Sequence, residues 1–155
     1  MIALIQKVKS AQVRINQTIK SEIENGLIVY LGIHNKDTDE DISYIIKKIL
    51  NLRIFPNKKN KFDLSVSDLK LQLLLISNFT LNAITRTGNR PDFSNAMDPK
   101  DAQIAYDKFI IEISKYHNHI STGEFGGNMI VESINDGPVN IIIDSFDKDI
   151  PRNNF

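Results

Sequence analysis

The first part of the chain alternates between hydrophobic and polar positions before it becomes continuously apolar. Residues 2–8 and 11–19 alternate with a period near two, which predicts two half-buried strands. The turn signal Asn25-Gly26 precedes residues 27–33, which are apolar on both faces, as expected of a central buried strand. Three further apolar runs also predict strands: residues 69–76, 129–134 and 139–143.

Two segments change to the helical spacing of three and four residues. Thr38 is placed to cap the first of them, and three acidic residues follow at its positive end. Its apolar positions are Ile42, Ile45, Ile46, Ile49 and Leu50. The second helix is predicted to begin at Asp98-Pro99, a cap followed by a proline in the first turn, and to continue over residues 102–113. Residues 55–68 between the helices are polar and predict a surface loop or hairpin.

The predicted element order is β-β-β-α-β-α-β-β, in a chain of 155 residues with no linker and no internal repeat. Long connections carry the two helices, so we expect one α/β domain with a mixed sheet. The sheet should curl into a barrel-like or two-sheet core, with both helices packed outside it. Residues 1–145 form this domain in our prediction, and residues 146–155 form a polar, loosely held tail.

Composition removes several classes of function. Nineteen basic residues balance nineteen acidic ones, so any contact with nucleic acid must be local. The chain has no cysteine, which excludes thiol nucleophiles, thiolate zinc sites and iron–sulfur clusters and fits a reducing compartment. The opening apolar run is too short for a signal peptide, and no later run could cross a bilayer, so we expect a cytoplasmic protein without a membrane partner.

The side chains that usually carry chemistry have simpler interpretations here. His117-Asn118-His119 suggests a metal site, but residues at i and i+2 point apart, so a solvated helix end is the preferred interpretation. The acidic residues from Asp37 to Asp41 lack the glycine and the distal glutamate of a calcium loop, and helix capping explains them better. We therefore expect no metal and no cofactor.

Folding alone leaves two segments unexplained. Residues 77–81, Ser-Asn-Phe-Thr-Leu, place polar side chains at the end of a buried strand, where binding and catalytic groups are often found. Residues 135–139, Asn-Asp-Gly-Pro-Val, set a Gly-Pro pair between two predicted strands, where glycine accepts unusual dihedral angles and the proline bond can be cis. A tight hairpin is the simple structural alternative for the second segment.

Together these segments make the chain resemble the D-aminoacyl-tRNA deacylase family of the bacterial and eukaryotic type, also called D-tyrosyl-tRNA deacylase. The family carries a Ser-Gln-x-x-Leu box and an Asn-x-Gly-Pro-x-Thr box, and this chain has Asn78 and Asn140 where the family has the glutamine and the final threonine. Seven segments match in family order: residues 1–8, 26–32, 53–55, 77–81, 88–94, 122–125 with Met129, and 135–139.

The resemblance implies a hydrolase that cleaves the ester between a D-amino acid, or glycine, and the terminal adenosine of a tRNA. It also implies a homodimer in which the cis Gly137-Pro138 loop enters the pocket of the partner subunit and presents two backbone carbonyls to the substrate. Parallel carbonyls suit a protonated amino group, and a rigid proline leaves no room for an L side chain. Such a pocket rejects L substrates by exclusion but admits glycine.

The predicted catalytic residues are Ser77, Asn78, Phe79 and Thr80, with the backbone N–H groups of Phe79 and Thr80 as candidates for holding the oxyanion. The 2′-hydroxyl of the adenosine can assist the attacking water. The predicted substrate-binding residues are Gly137, Pro138, Phe125 and Met129. Together with Phe79, the latter two would form an apolar floor under the adenine and the ester.

Two alternatives from other classes stay open. A Thr80 nucleophile would attack the ester directly, although a threonine needs a nearby base and no histidine or glutamate lies close to it in sequence. A non-catalytic, dimeric RNA-binding module would instead use the Gly-Pro loop as a structural clasp. Release of amino acid from charged tRNA separates the second alternative from the enzyme.

Overall fold

A computed structural model of the chain describes residues 1–86 and 88–150. Two long antiparallel strands, β1 and β8, run side by side along most of their length. The strands are β1 (Ile2–Ile15), β2 (Thr18–Ile23), β3 (Gly26–Gly32), β4 (Phe55–Pro56), β5 (Phe62–Leu64), β6 (Gln72–Ser77), β7 (Ile120–Thr122) and β8 (Ile130–Asp144). The α-helices are α1 (Asp39–Asn51) and α2 (Pro99–Ser114), and short 3₁₀-helices cover Phe79–Asn82 and Ser145–Asp149.

The main sheet is mixed and curls into a nearly closed barrel, as predicted. Its strands pair in the order β2-β1-β3-β6-β7, and β8 also pairs with β1. Strands β3, β6 and β7 are parallel, and the remaining pairs in this sheet are antiparallel. The hydroxyl of Ser21 in β2 donates to the carbonyl of Thr122 in β7 at 2.9 Å, which draws the two ends of the sheet together.

Both predicted helices are confirmed. Asp41 accepts hydrogen bonds from the backbone N–H and the hydroxyl of Thr38, each at 2.8 Å, and so closes the amino end of α1. At α2, the carboxylate of Asp98 accepts from the N–H of Lys100 at 3.0 Å. The apolar faces of both helices join strand residues in one buried cluster that includes Ile45, Phe109, Val29 and Leu75. This packing holds the carboxyl ends of β3 and β6 beside the start of α2.

The prediction of two separate strands over residues 2–8 and 11–19 is wrong. Both belong largely to β1, and the chain first reverses at Asn16-Gln17, where both residues have positive φ. Pairing with β8 shifts register on each side of Val8, so a bulge interrupts the alternation without ending the strand. Strand β2 then covers residues for which no separate strand was predicted.

The division of residues 129–134 and 139–143 into two strands is also wrong. They form the single strand β8, and both halves run antiparallel to β1. The segment Asn135–Val139 is therefore an outward bulge in a continuing strand, and the alternative of a tight hairpin is excluded because the chain does not reverse there. The Gly137-Pro138 bond is cis.

Two further differences concern short segments. The predicted surface hairpin exists as β4 and β5, whereas the three-residue strand β7 was not predicted. His117 does not lie at a solvated helix end: it is 6% exposed, its Nε2 is 2.7 Å from the Leu71 carbonyl oxygen, and burial lowers its pKa. Its ring instead joins the turn after α2 to the chain entering β6.

Part of the predicted polar tail packs against the domain. The ring of Phe146 meets that of His34 edge to face at 5.0 Å between centroids. The ammonium of Lys148 lies 2.8 Å from the Asp41 carboxylate at the amino end of α1. The end of the predicted tail, residues 151–155, lies outside the described residues.

Candidate active site

A cleft of about 820 Å³ opens where β3 and β6 end and α2 begins. The loop that leads from β7 to β8 forms its opposite wall. The cleft is lined by all six site residues that the sequence placed on this part of the chain: Ser77, Asn78, Phe79, Thr80, Phe125 and Met129. The structure therefore brings together two segments that lie more than forty positions apart in the sequence.

The polar end of the cleft is formed by the exit from β6. Strands β3 and β6 pair in parallel with Leu31 opposite Ser77, and the N–H of Asn78 donates to the Leu31 carbonyl at 2.8 Å. The side-chain oxygen Oδ1 of Asn78 then accepts from Thr80 twice, from the N–H at 3.3 Å and from the hydroxyl at 2.5 Å. This side chain caps the 3₁₀-helix that begins at Phe79.

The two predicted oxyanion donors differ in their present partners. The N–H of Thr80 is already shared with Asn78, as described above. Within residues 1–86 and 88–150, no hydrogen bond engages the N–H of Phe79. A backbone N–H that has no hydrogen-bond partner and lies beside a neutral amide is a ready donor to a developing negative charge. Phe79 is therefore the better placed of the two donors in this structure.

The opposite wall is apolar and held by specific contacts. Phe125 packs on Tyr106 of α2, with 5.8 Å between ring centroids, and the Tyr106 hydroxyl donates to the buried Leu75 carbonyl at 2.9 Å. The sulfur of Met129 accepts from the N–H of Glu124 at 3.4 Å. Both Phe125 and Met129 are half-buried, as suits side chains that form a floor and still face the cleft.

Two aromatic residues of the cleft were missed by the sequence analysis. Tyr30 lines the cleft from β3, and burial raises the pKa of its phenol, so the hydroxyl stays neutral as a donor. Phe93 packs edge to face on Phe79 at 5.0 Å between centroids. Each had a detectable signal in the sequence, namely an aromatic residue in an aliphatic strand and an aromatic residue in a polar loop.

The predicted residues Gly137 and Pro138 do not line the cleft of their own chain. Both are exposed on the bulge of β8, whose base is firmly held. The side-chain amide of Asn135 donates to the Lys7 carbonyl at 2.8 Å, and that of Asn140 donates to Asn135 Oδ1 at 3.2 Å. Asn140, where the family has threonine, thus joins the two sides of the bulge.

The charge at the bulge is also paired. The Lys7 ammonium lies 2.8 Å from the Asp136 carboxylate and holds the pKa of that carboxyl below its usual range. Gly137 has φ of +126°, and a Cβ there would lie 2.6 Å from Cγ2 and 2.9 Å from the backbone nitrogen of Val139. Only glycine fits this position without a shift of the bulge.

The described part of the chain contains no group of three or more histidine, cysteine, aspartate or glutamate side chains arranged to hold a metal ion. Among the same residues, no helix is both long enough and apolar enough to cross a membrane.

Comparison with known proteins agrees with the geometry. A D-aminoacyl-tRNA deacylase of Finegoldia magna is 48% identical over 145 residues, covering 94% of this chain and 98% of the relative. One of Plasmodium falciparum is 45% identical and covers 95% and 97%. A solved structure described as a c-Myc DNA unwinding element binding protein has a TM-score of 0.90 at 37% identity, covering 93% of this chain and 98% of that one.

A second solved structure, described as a probable eukaryotic D-amino acid tRNA deacylase, has a TM-score of 0.81 over 92% of this chain and 97% of its own, but only 14% identity, so it supports the fold alone. The family profile of D-Tyr-tRNA(Tyr) deacylase matches residues 4–144. With that profile and relatives above 40% identity over nearly its full length, the chain belongs to the D-Tyr-tRNA(Tyr) deacylase family.

Proposed function

We propose that this protein hydrolyses the ester of D-aminoacyl-tRNA, and of glycyl-tRNA, to free tRNA and amino acid, and rejects L-aminoacyl-tRNA by exclusion. The family profile and the curated relatives support the deacylase activity. The observation that carries the proposal is the cleft itself. It joins the backbone N–H of Phe79, which has no partner among the described residues, to an apolar wall of Phe125 and Met129.

In the proposed reaction a water attacks the ester carbonyl carbon, and the carbonyl oxygen takes the electron pair of the broken π bond. The N–H of Phe79 stabilises this oxyanion, and the N–H of Thr80 adds to it when Asn78 releases its weaker 3.3 Å bond. The oxyanion then collapses, the carbon–oxygen bond to the ribose breaks, and the ribose oxygen takes up the proton that the attacking water has released. The neighbouring 2′-hydroxyl of the adenosine orients the water, since the described cleft places no histidine there.

Selection requires the Gly137-Pro138 bulge of a second subunit. In the proposed dimer the bulge of one subunit enters the cleft of its partner. There the carbonyls of Gly137 and Pro138 accept hydrogen bonds from the substrate's protonated amino group. The proline ring occupies the space into which an L side chain would project. Glycine has no side chain for the proline ring to exclude, so glycyl-tRNA is accepted as a substrate.

The exposure of β8 supports a dimer. Within the described residues β8 pairs only with β1, so its other edge offers unpaired backbone groups. Three isoleucines on its outer face, Ile130, Ile134 and Ile142, are 60%, 61% and 69% exposed. Apolar side chains along an open strand edge are typical of an interface. A twofold axis would place each bulge, which lies on the same strand, against the other subunit.

The two alternatives have less support. The Thr80 hydroxyl donates to the Asn78 amide oxygen, which is not a base, so nothing in this contact activates a nucleophile. A non-catalytic RNA-binding module gives no use to the half-buried apolar wall or to the N–H of Phe79, which lacks a partner in the described part of the chain. Purified protein incubated with D-aminoacyl-, L-aminoacyl- and glycyl-tRNA tests the proposed exclusion and the binding module. Equal release from the two enantiomers would refute exclusion, and no release at all would favour the binding module.

Subunit mixing tests the exchange of bulges. Asn78→Asp damages the cleft but keeps the bulge, whereas Gly137→Ala damages the bulge but keeps the cleft. If bulges are exchanged, a mixed dimer has one site in which both parts are intact, so random mixing of the two impaired variants makes roughly a quarter of all sites wild-type and raises the activity above that of either variant alone. If each cleft uses its own bulge, mixing restores nothing.

A further inference from the structure

An aromatic pair stands at the mouth of the cleft, where a hydrophobic core would not require it. The rings of Phe79 and Phe93 meet edge to face, yet Phe79 is 59% exposed and Phe93 is 37% exposed. Neither belongs to the buried cores of the domain. Large aromatic side chains left this open beside a binding cleft offer a surface on which a flat, apolar group can stack.

The backbone fixes the position of Phe93. A short antiparallel bridge joins Ile84 to Asp92, with hydrogen bonds of 2.7 and 3.0 Å. The Asp92 carboxylate accepts from the N–H of Ser94 at 2.8 Å and from its hydroxyl at 3.1 Å. Phe93 is thus held between two anchored neighbours, and its ring has a defined place at the mouth.

A positive charge lies on the same segment. Arg90 is exposed, and within residues 1–86 and 88–150 its guanidinium forms no ion pair. Phe93 lies three positions further along the chain, so the two Cα atoms are at most about 11 Å apart. Pro91 between them restricts the backbone. In a chain with no net charge, an exposed cation on the same short segment as Phe93 is a local site for a polyanion that also carries rings.

We propose that the Phe79–Phe93 pair and Arg90 bind the single-stranded nucleotides that immediately precede the terminal adenosine of the tRNA substrate. The inference rests on the proposed function, because the strand must leave the cleft through this mouth once the terminal aminoacyl-adenosine lies inside. A base stacks on the exposed ring of Phe93 and the guanidinium contacts the phosphate. Stacking on aromatic side chains together with a cation along the backbone is how proteins hold single strands without reading their sequence.

The experiment compares two substrates that share the reacting ester. One is D-aminoacyl-tRNA, and the other is the same D-amino acid esterified to adenosine alone, which lacks the preceding nucleotides. Arg90→Gln should lower kcat/KM for the tRNA about tenfold, mainly through KM, and leave cleavage of aminoacyl-adenosine unchanged. Phe93→Leu should lower kcat/KM for the tRNA about tenfold more than for aminoacyl-adenosine. The control Lys20→Gln removes one exposed positive charge from β2, outside the cleft lining, and should affect neither substrate.

Salt adds a second measurement. The affinity of the wild-type protein for tRNA should fall as salt rises, and Arg90→Gln should reduce the slope of that dependence by about one ion contact. The inference is overturned if both variants lose kcat/KM to the same degree on tRNA and on aminoacyl-adenosine. It is also overturned if both variants cleave D-aminoacyl-tRNA as the wild-type protein does. If the wild-type protein cleaves neither substrate, the proposed function itself fails, and this outcome is distinct from both of the others.

Discussion

The exit of β6 and the bulge of β8 contain the two segments that folding alone left unexplained, and the two segments differ in their position relative to the cleft of their own chain. Residues 77–80 line the cleft of their own chain, and their donors are backbone groups arranged by one amide, Asn78. Residues 137 and 138 lie outside that cleft, on a bulge anchored by Asn135 and by the Lys7–Asp136 ion pair.

This difference separates the proposed chemistry from the proposed selection. A change at the β6 exit should slow the reaction for every accepted substrate, since it alters the stabilisation of the oxyanion. A change at the bulge should alter which substrates are accepted, since it alters the wall that excludes L side chains. Catalysis and chiral selection can then be damaged independently.

The largest expected effect is that of Asn78→Asp. The carboxylate has nearly the same shape and can still accept from Thr80, so the 3₁₀-helix should persist. Its negative charge, however, would stand beside the oxyanion, and we expect kcat to fall about 100-fold or more on D-aminoacyl- and glycyl-tRNA alike. Single-turnover rates on both substrates measure it.

Asn78→Gln is the matched control, because it introduces the glutamine of the family's Ser-Gln-x-x-Leu box and keeps the side chain neutral. It should retain activity within about threefold, since no interaction with the transition state is lost. An aspartate variant that is as active as the glutamine variant would contradict the placement of the oxyanion at this strand end.

Gly137→Ala is expected to have the next largest effect. The added methyl would come within 2.6 Å of Val139 Cγ2, at a φ of +126° that other residues avoid, so the bulge must shift. Gly137 is exposed, and the fold should survive. We expect D-aminoacyl cleavage to fall about tenfold, or L cleavage to become measurable, because the carbonyls are displaced. Rates on both enantiomers and a thermal melt are the measurements.

A second glycine provides the control for this variant. Gly88 also has a positive φ, of 73°, but a Cβ there would meet nothing within 4 Å. Gly88→Ala should leave the D-to-L ratio on aminoacyl-adenosine unchanged. Equal effects of the two alanines would mean that backbone strain alone, and not the position of the bulge, governs selection.

A smaller effect is expected at Asp136, and it depends on pH. Lys7 lowers the pKa of Asp136 in the folded protein, so the ion pair is intact above the ordinary carboxyl range, near pH 4, and is lost as the pH falls through and below it. The bulge of the wild-type protein should loosen in acid, and D-to-L discrimination should weaken by about two- to threefold, since partly exposed pairs contribute little.

Asp136→Asn should show the weakened discrimination already at neutral pH and no further change between pH 7 and 3. Discrimination that falls in parallel in both proteins as the pH drops would assign the change to another group. The exit of β6 holds no titratable side chain, so a loss of discrimination in acid that disappears in Asp136→Asn points to the bulge and not to residues 77–80.

The sequence predicted the β6 exit better than the bulge, for a physical reason. Asn78 and Thr80 interrupt a run of leucines and isoleucines, and polar side chains at the end of a buried strand are a local signal. The bulge at residues 135–139 depends on pairing with β1, which lies more than a hundred positions away. The local sequence around its Gly-Pro pair is equally typical of a hairpin. The β1 bulge near Val8 misled the division of the first strand in the same way.

The helices and the central strands β3 and β6 were predicted well because their patterns are long and periodic. Strand β7 has three residues, too few to show a period, and His117 is buried by contact with Leu71, which no local pattern reveals. The family, the mixed barrel-like sheet and the two outer helices predicted from the sequence are confirmed. The roles of individual site residues remain predictions, and the experiments above address them.

The smallest expected effect is that of Thr80→Val, and it decides whether the β6 exit works through its backbone or through a side chain. The substitution removes the hydroxyl and its 2.5 Å bond to Asn78 but keeps the N–H of Thr80 and the branched shape. If the backbone stabilises the oxyanion, kcat on D-aminoacyl-tRNA should stay within about twofold of wild type, with a slight loss of stability from the missing hydrogen bond. A threonine nucleophile would instead require a loss of several orders of magnitude and a covalent aminoacyl-enzyme in the wild-type protein, detectable as a mass increase after rapid acid quench. A near-active valine variant without that adduct would leave the backbone of Phe79 and Thr80 as the working part of this region, just as the carbonyls of Gly137 and Pro138 are the proposed working part of the other.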